Sequence, residues 1–246
     1  MKRIVSILLS LVMLLTMVPS AFATESATKI PGISVSRSAS IGTSRDSEYE
    51  YISIIDWERG TAQAAKRDLQ TGEYSYGPIV VIDSITGNGD NNIPSSSLLA
   101  MDPTSHQDTF SNYEYDIWEM VEDTEWRLER PKDAFRQYYF MTNQVSKNWN
   151  ELLDYRDIVD ELNDIELTLI GDVGMATLKI IVAVVTSQAA TTTYGVLSPA
   201  AWESVASAVD AGITALSSFN SYCGIYNSTA QAYFDAYEVS DVFFDS

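Results

Sequence analysis

The sequence is poor in cysteine and histidine: its 246 residues include one of each, Cys223 and His106. One cysteine excludes an internal disulfide, and one Cys with one His is too few for a Cys/His zinc site. A nucleophilic hydrolase would have to use His106, and no Gly-x-Ser-x-Gly elbow accompanies it. Cys223 has apolar neighbours, and a buried free cysteine behaves as a small hydrophobic residue. The sequence therefore predicts no catalytic residues and no cofactor.

Basic residues are also scarce. The chain has 15 Lys and Arg against 34 Asp and Glu, a formal net charge of −19. Nucleic-acid binding depends on basic side chains that replace the counterions of the phosphates, so we exclude nucleic acid as a partner. The imbalance is greatest in the C-terminal part, where the segment from Asp157 onward holds 12 acids and one base, Lys179.

The first 23 residues have the pattern of a secretory signal peptide. Lys2 and Arg3 precede the apolar run Ile4–Val18, and Ala21-Phe22-Ala23 provides an A-x-A cleavage site. The alternative is a membrane anchor, but the run is shorter than the roughly 20 residues that span a bilayer. We predict cleavage after Ala23, secretion, and an exported chain of 223 residues with a net charge of −21, because two bases are removed.

The exported chain is predicted to have an α+β fold, in which a small antiparallel β-meander precedes a mainly helical domain. Residues 24–47 are rich in Ser, Thr, Ala and Gly and are predicted to form a flexible arm. Residues 48–85 contain extended runs separated by Gly-bearing turns, which predicts the meander. Its middle strand, Thr61–Asp68, also fits a helix because of its three alanines.

Residues 86–105 are predicted to be a linker loop. Within and beside it, Asp83, Asn88 and Asp90 are the candidate calcium ligands, because Gly87-Asn88-Gly89-Asp90 matches one unit of a Gly-rich calcium-binding repeat. Those sites stack across several repeats and this chain has a single unit, so a plain polar loop is the favoured interpretation.

Residues 106–246 are predicted to be the helical domain. Pro131 suits the first turn of a helix, and Asn148 with Glu151 resembles a capping box. Apolar residues then recur three and four apart along one helical stripe: Leu152, Tyr155, Val159, Leu162 and Ile165. The opposite face is acidic, and we interpret it as solvated.

Residues 167–219 are predicted to form a hydrophobic helical hairpin. The 23 positions from Ile180 to Trp202 carry no charge, and Gly195–Pro199 breaks the helix. Ser198 is the predicted N-cap of the second helix, with Pro199 in its first turn. Small residues along this helix allow two backbones to approach closely.

Two interpretations of the hairpin remain open. In the first, it inserts into a target-cell membrane; in the second, it is the buried core of a soluble domain that binds an envelope protein. Asp172 and Lys179 are seven residues apart, which would place them on one face of a continuous helix. The residues predicted as membrane or packing contacts are Gly171, Asp172, Gly174, Lys179, Gly195, Pro199 and Gly212.

The order of segments resembles that of the large exported geobacillin-type bacteriocins. The likeness covers the signal peptide in residues 1–23, a polar β-rich front in 49–83, and Gly-bearing apolar helices in 167–219. The resemblance implies an antimicrobial activity against related bacteria without an enzymatic step.

Three functions are therefore expected, in order. The first is a secreted, non-enzymatic, membrane-active antimicrobial, and the second is a soluble extracellular binding protein of the envelope. The third is a secreted hydrolase with paired carboxylates, although the 31 acids outside the hairpin allow no pair to be chosen. The sequence does not indicate an oligomeric state.

Overall fold

A computed structural model describes residues 30–82, 105–108, 115–121, 125–132, 135–142 and 149–241. The predicted signal peptide and the calcium candidates Asp83, Asn88 and Asp90 lie outside these residues. The chain divides into two units, Met1–Val35 and Ser36–Ser246. Of the first unit, residues 30–35 are described, and the Ile33 amide donates a hydrogen bond to the Ile30 carbonyl (3.1 Å).

The first sheet of the second unit is the predicted antiparallel meander. Its strands are β1 (Ala39–Arg45), β2 (Tyr49–Asp56), β3 (Thr61–Asp68), β4 (Tyr74–Tyr76) and β5 (Val80–Val81). They follow the order β1-β2-β3-β4, and β5 also pairs with β3. The middle run is a strand, and its alanines Ala62, Ala64 and Ala65 are fully buried. Small side chains at these positions let a helix pack close to the sheet.

Three turns of this sheet each begin with an aspartate. These residues are Asp46 directly after β1, Asp56 at the end of β2 and Asp68 at the end of β3. The carboxylate of each accepts hydrogen bonds from backbone amides of the turn. An Asp side chain that binds the backbone two or three residues onward favours a turn. Gly60 and Gly72 complete two of these turns with positive φ, +62° and +76°, as their turn positions in the sequence predicted.

The segment predicted as a flexible arm, 24–47, differs from the structure at its C-terminal end. Ala39–Arg45 forms β1, paired with β2 from Ala39↔Asp56 to Arg45↔Glu50. Its polar composition concealed the strand because β1 lies at the edge of the sheet. At Gly42, β1 lies close to a helix, as described below.

The prediction that residues 106–246 are helical is wrong for their first part. A second antiparallel sheet, in the order β6-β7-β8-β9, contains β6 (Ser105–Asp108), β7 (Asp116–Val121), β8 (Glu125–Lys132) and β9 (Phe135–Thr142). His106 lies in β6 opposite Trp118. Pro131 lies in the part of β8 that extends beyond its pairing with β7, so β9 is its only described neighbour. Its missing N–H is tolerated there.

The described residues of the second unit also form four α-helices: α1 (Trp149–Val173), α2 (Met175–Ala189), α3 (Pro199–Val209) and α4 (Ser217–Asp241), with a 3₁₀ helix (Ala211–Ala215) before α4. The predicted stripe of α1 is buried at Leu152, Tyr155, Val159 and Leu162. Residues 167–173 belong to α1, so the hairpin itself consists of α2 and α3. It bends at 190–198, which contains the predicted breaker from Gly195 to Ser198, and Pro199 begins α3.

The second hairpin helix is shorter than the predicted hairpin, which extended to residue 219. It ends at Val209 because Asp210 adopts extended backbone (φ −174°). The Asp210 carboxylate then accepts a hydrogen bond from the Gly212 amide (2.9 Å) and so caps the 3₁₀ helix. The last part of the predicted hairpin therefore belongs to the 3₁₀ helix and to the start of α4.

One hydrophobic core joins these elements. It contains side chains of β2, β3, β7 and β8 and of all four helices. Helices α2 and α3 contact the first sheet, whereas α1 and α4 contact each other along their length and touch the second sheet. Within the helices of the described residues, no segment combines the length and the hydrophobicity that crossing a bilayer requires.

Candidate binding surfaces

The apolar hairpin, the strongest candidate from the sequence, is enclosed by the fold. Nine consecutive residues of α2, Ile181–Ala189, are buried. Helix α2 contacts β2, β3 and β5, and α3 contacts β1 and β2. In this structure the two helices are packing elements that cover one face of the meander.

Small residues allow this close packing, as predicted, although the second backbone belongs to a strand. A Cβ on Gly42 of β1 would lie 2.1 Å from the Ser204 carbonyl oxygen and 2.3 Å from the Ala208 amide nitrogen of α3. The Ser204 hydroxyl also lies 2.9 Å from the Ser53 hydroxyl of β2, and both serines are buried. The backbone of α3 therefore lies directly against β1 at Gly42, and the Ser204 side chain connects the same helix to β2.

Four of the predicted hairpin residues lie around the junction of α1 and α2. Gly174 separates the helices with φ +82°, which only glycine adopts easily. Asp172 therefore lies in α1 and Lys179 in α2, so the expected shared helical face does not exist. Instead, the Asp172 carboxylate accepts a hydrogen bond from Ser218 at the start of α4 (2.5 Å). Gly171 is exposed, with open space around it.

The other three predicted residues are divided between two places. Gly195 (φ +72°) lies in the turn between α2 and α3, where a Cβ would approach the Tyr115 hydroxyl to 2.8 Å. Pro199 is the first residue of α3, and the Ser198 hydroxyl accepts a hydrogen bond from the Ala201 amide (3.2 Å), as predicted. Gly212 lies in the 3₁₀ helix. The seven residues therefore form no single site.

An apolar pocket lies where α1, α2, α3 and the 3₁₀ helix meet; we call it the corner pocket. It has a volume of about 360 Å³ and is lined by Trp57, Val173, Thr177, Ile180, Val209, Asp210, Gly212, Ile213 and Leu216. Trp57 is 46% exposed, and its indole N–H donates a hydrogen bond to the Ser40 hydroxyl (2.8 Å). One carboxylate, Asp210, lies among these mostly apolar side chains. The pocket is suited to an apolar group that carries a donor or a positive charge.

A smaller pocket of about 170 Å³ lies at the turn between α2 and α3, beside Tyr115, Arg130 and Gly195. The Arg130 guanidinium lies 4.9 Å from the centre of the Phe234 ring. Tyr194 of the turn packs edge-on against the same ring (5.0 Å) and remains 54% exposed. Aromatic and cationic groups therefore surround this end of the hairpin.

A wider groove runs between α1 and α4, with a volume of about 580 Å³; we call it the α1/α4 groove. Helix α1 contributes Glu161, Asp164, Ile165 and Thr168, and helix α4 contributes Ser221, Gly224, Ile225 and Ser228. One wall is acidic, the other consists mainly of small residues, and both contribute an isoleucine. The acidic face of α1, predicted from the sequence to be solvated, therefore borders a groove that the sequence pattern does not reveal.

Charged side chains are also buried beneath the second sheet. Arg127 and Glu129 of β8 form an ion pair (2.9 Å), and their side chains are 2% and 0% exposed. The guanidinium lies 3.8 Å from the centre of the Trp118 ring. The Tyr155 hydroxyl of α1 lies within hydrogen-bond distance of the Glu129 carbonyl (2.9 Å), and burial raises the pKa of this tyrosine well above its usual value. The Tyr155 hydroxyl therefore connects α1 to the backbone of β8.

Two kinds of described group can be compared with catalytic residues: the Cys223 thiol and the Glu161 and Asp164 carboxylates of the α1/α4 groove. Burial raises the pKa of the Cys223 thiol to about 12, so at neutral pH it is protonated and a poor nucleophile. Glu161 and Asp164 lie one turn apart on one helix, whereas a glycosidase places its two carboxyl groups on either side of the sugar bond. Among the described residues, no three His, Cys, Asp or Glu side chains form a group that would hold a metal ion.

No protein-family model, curated protein or solved structure matches the chain. The corner pocket includes one of the seven residues predicted as membrane or packing contacts, Gly212, and the pocket at the turn between α2 and α3 includes another, Gly195. The α1/α4 groove includes none. Its only sequence signal is the three- and four-residue spacing of its lining residues.

Proposed function

We propose that the protein is an exported, non-enzymatic binding protein of the extracellular or envelope space. The enclosed hairpin is the observation that carries this proposal. The apolar segment that suggested membrane insertion already has a partner, the meander sheet, and nine of its consecutive residues are buried. Membrane insertion would require α2 and α3 to detach from the sheet. The buried faces of the helices and of the sheet would then be exposed.

The charge distribution supports the same proposal. Helices α1 and α4 together carry eleven acidic residues and one basic residue, Arg156. These helices lie next to each other, and their acidic side chains include the exposed residues Asp154, Asp157 and Asp160. Anionic membranes repel such a surface, whereas cationic segments of other proteins are attracted to it.

Two measurements on purified residues 24–246 test the proposal. Dye-loaded vesicles of anionic and zwitterionic phospholipid are mixed with micromolar protein at neutral and at acidic pH, and we expect no leakage. Fluorescently labelled protein is then added to intact cells of neighbouring bacteria, and we expect saturable binding that unlabelled protein displaces. Leakage, or the absence of saturable binding, would contradict the proposal.

A membrane-active antimicrobial is the second candidate, because the tip of the hairpin is apolar and exposed. Tyr194 is 54% exposed and Val196 is 37% exposed, and they lie within the uncharged segment 180–202. In this mechanism the tip contacts the bilayer first and the hairpin then detaches from the sheet.

A reversible covalent lock separates the two candidates. Ser53 and Ser204 face each other with their hydroxyl oxygens 2.9 Å apart, so a Ser53→Cys/Ser204→Cys disulfide would fasten α3 to β2. It is introduced together with Cys223→Ala so that only one pairing is available. If the hairpin must detach, oxidation abolishes leakage or killing and reduction restores it. If the folded form is the active one, the oxidised and the reduced variant bind to cells equally well.

A further inference from the structure

We propose that the α1/α4 groove binds a cationic amphipathic helix of a protein partner. The inference depends on the proposed binding function and adds the site and the chemistry of the partner. It is carried by the shape of the groove, the spacing of the residues on its walls and the sign of the charge around it.

The two walls have the same helical spacing. The four α1 residues, at 161, 164, 165 and 168, are spaced i, i+3, i+4 and i+7, and so are the four α4 residues, at 221, 224, 225 and 228. Each set therefore forms one stripe on its helix. Two neighbouring stripes of this kind leave a channel into which a third helix packs with its side chains in the groove.

The two helices run antiparallel, so the stripes face each other along their whole length. Asp172, near the end of α1, binds Ser218 near the start of α4. Tyr155, near the start of α1, packs edge-on against Tyr233 in the second half of α4 (5.7 Å). The groove lies between these two contacts, in the middle of the helix pair.

The wall formed by α4 allows a close approach. Ser221 and Ser228 have short side chains, and a Cβ on Gly224 would meet no atom within 4 Å. Small residues let helix axes approach to the lower end of the usual range of about 8–10 Å. Ile165 and Ile225 are half-buried, so an apolar face of the partner would remove their remaining surface from water.

The charge around the groove selects a cationic partner. Glu161 and Asp164 line the groove and both are exposed. The only basic residue of α1 and α4 is Arg156, and its guanidinium is already paired with Asp157 (2.9 Å). A partner helix with Lys or Arg beside its apolar stripe would contact isoleucines with one face and carboxylates with its border. A second copy of this chain, or an anionic lipid surface, would bring like charge to the groove.

A designed peptide serves as the probe. It has about 18 residues, which is enough to sustain a helix, and places Leu at i, i+3, i+4 and i+7 with Lys between them. A second peptide has the same composition in an alternating order that cannot form an apolar helical stripe. Fluorescence anisotropy of the labelled peptides measures binding to residues 24–246. We expect the amphipathic peptide to bind at least about tenfold more tightly than the alternating one, a difference of about 1.4 kcal/mol.

Two matched pairs of variants locate the site. Gly224→Trp fills the groove, whereas Gly171→Trp places the same side chain on another exposed helical glycine with open space around it. Glu161→Lys/Asp164→Lys reverses the charge of the groove, and Glu58→Lys/Glu73→Lys makes the same net change at exposed residues of the first sheet. We expect at least a tenfold loss of peptide affinity from the first member of each pair and less than a threefold loss from the second. Circular dichroism and urea unfolding check that each variant is folded.

Each alternative outcome overturns the proposal in a recognisable way. Equal binding of both peptides, or equal losses from the two charge variants, would mean diffuse attraction to an acidic protein. Dimerisation of the wild-type chain that Gly224→Trp removes would assign the groove to a second copy. If the folded wild-type protein binds neither peptide yet still binds cells saturably, the groove inference fails and the proposed binding function stands. If it binds neither peptides nor cells, both fail.

Discussion

The hydroxyl of Ser187 in α2 accepts a hydrogen bond from the Ala64 amide of β3 (2.7 Å). The same hydroxyl donates to the Pro78 carbonyl (2.7 Å). Pro78 lies in the gap between β4 and β5, the two short strands that pair with β3. A helical side chain therefore occupies a position in the hydrogen-bond ladder of the sheet. This contact explains why α2 packs so closely that a Cβ on Gly77 would lie 1.9 Å from the Ser187 carbonyl oxygen.

Ser187→Ala should destabilise the protein because it leaves the buried Ala64 amide and the Pro78 carbonyl without this partner. An unsatisfied buried group costs about 1–3 kcal/mol, so we expect a loss of about 2–4 kcal/mol in the free energy of unfolding. Urea unfolding measures it. Ser207→Ala removes an exposed hydroxyl from α3 and should change stability by less than about 0.5 kcal/mol. Equal effects of the two substitutions would show that the ladder position of Ser187 has no energetic role.

Two glycines should respond in opposite directions to the same added methyl group. Gly42→Ala places a Cβ 2.1 Å from the backbone of α3, so the helix must move away from β1. We expect a loss of about 3 kcal/mol or more, at the upper end of the usual cost of overpacking. Gly171→Ala adds a methyl group in open space on α1 and should stabilise the protein by about 0.5–1 kcal/mol through helix propensity. Thermal and urea unfolding of both variants provide the test.

The turn after β3 should make the stability of the meander depend on pH. Hydrogen bonds from the Thr71 and Gln70 amides lower the pKa of Asp68 below its ordinary value of 3.8. A carboxyl with a lowered pKa in the folded state stabilises that state above its unfolded pKa, and the contribution is lost as the pH falls through the folded pKa. Asp68→Asn keeps an oxygen acceptor but removes the charge.

We therefore expect the Asp68→Asn variant to have a lower melting temperature than wild type at pH 7. The difference should shrink as the pH falls below about 4. The control is Asp154→Asn, at an exposed acid on α1. A difference between wild type and Asp68→Asn that is constant from pH 7 to pH 3 would disprove the role of the Asp68 charge.

The elements that the sequence predicted are those whose pattern is local. Ser198 and Pro199 define the start of α3, and the spacing of Leu152, Tyr155 and Val159 defines the buried face of α1. Gly60 and Gly72 mark turns because their positive φ is a property of single residues. These signals need no knowledge of the rest of the chain.

The second sheet was missed although β8 carries a local signal. Its sequence alternates apolar Trp126 and Leu128 with charged Glu125, Arg127 and Glu129, and Arg127 and Glu129 are buried as well. The alternation covers only five residues and Pro131 follows closely, so the stretch also fits the approach to a helix start. The α1/α4 groove was missed for a different reason: Glu161 and Asp164 look solvated in the sequence, and their relation to Gly224 exists only after α1 and α4 pack.

Two ion pairs of the same length should contribute very differently to the free energy of unfolding, because one is buried and the other is partly exposed. Arg127–Glu129 and Arg156–Asp157 both have N···O distances of 2.9 Å, but the first pair is buried and the second is partly exposed. Arg127→Met removes the guanidinium from beside the buried Glu129 carboxylate and from the Trp118 ring, so we expect a loss of about 3–5 kcal/mol. Arg156→Met should cost about 0–1 kcal/mol.

The double variant Arg127→Met/Glu129→Leu should be more stable than Arg127→Met alone, because it also removes the buried Glu129 charge. Urea unfolding of these three variants and of Glu129→Leu decides: if the double variant loses as much as the sum of its two single substitutions, the two side chains are not energetically coupled.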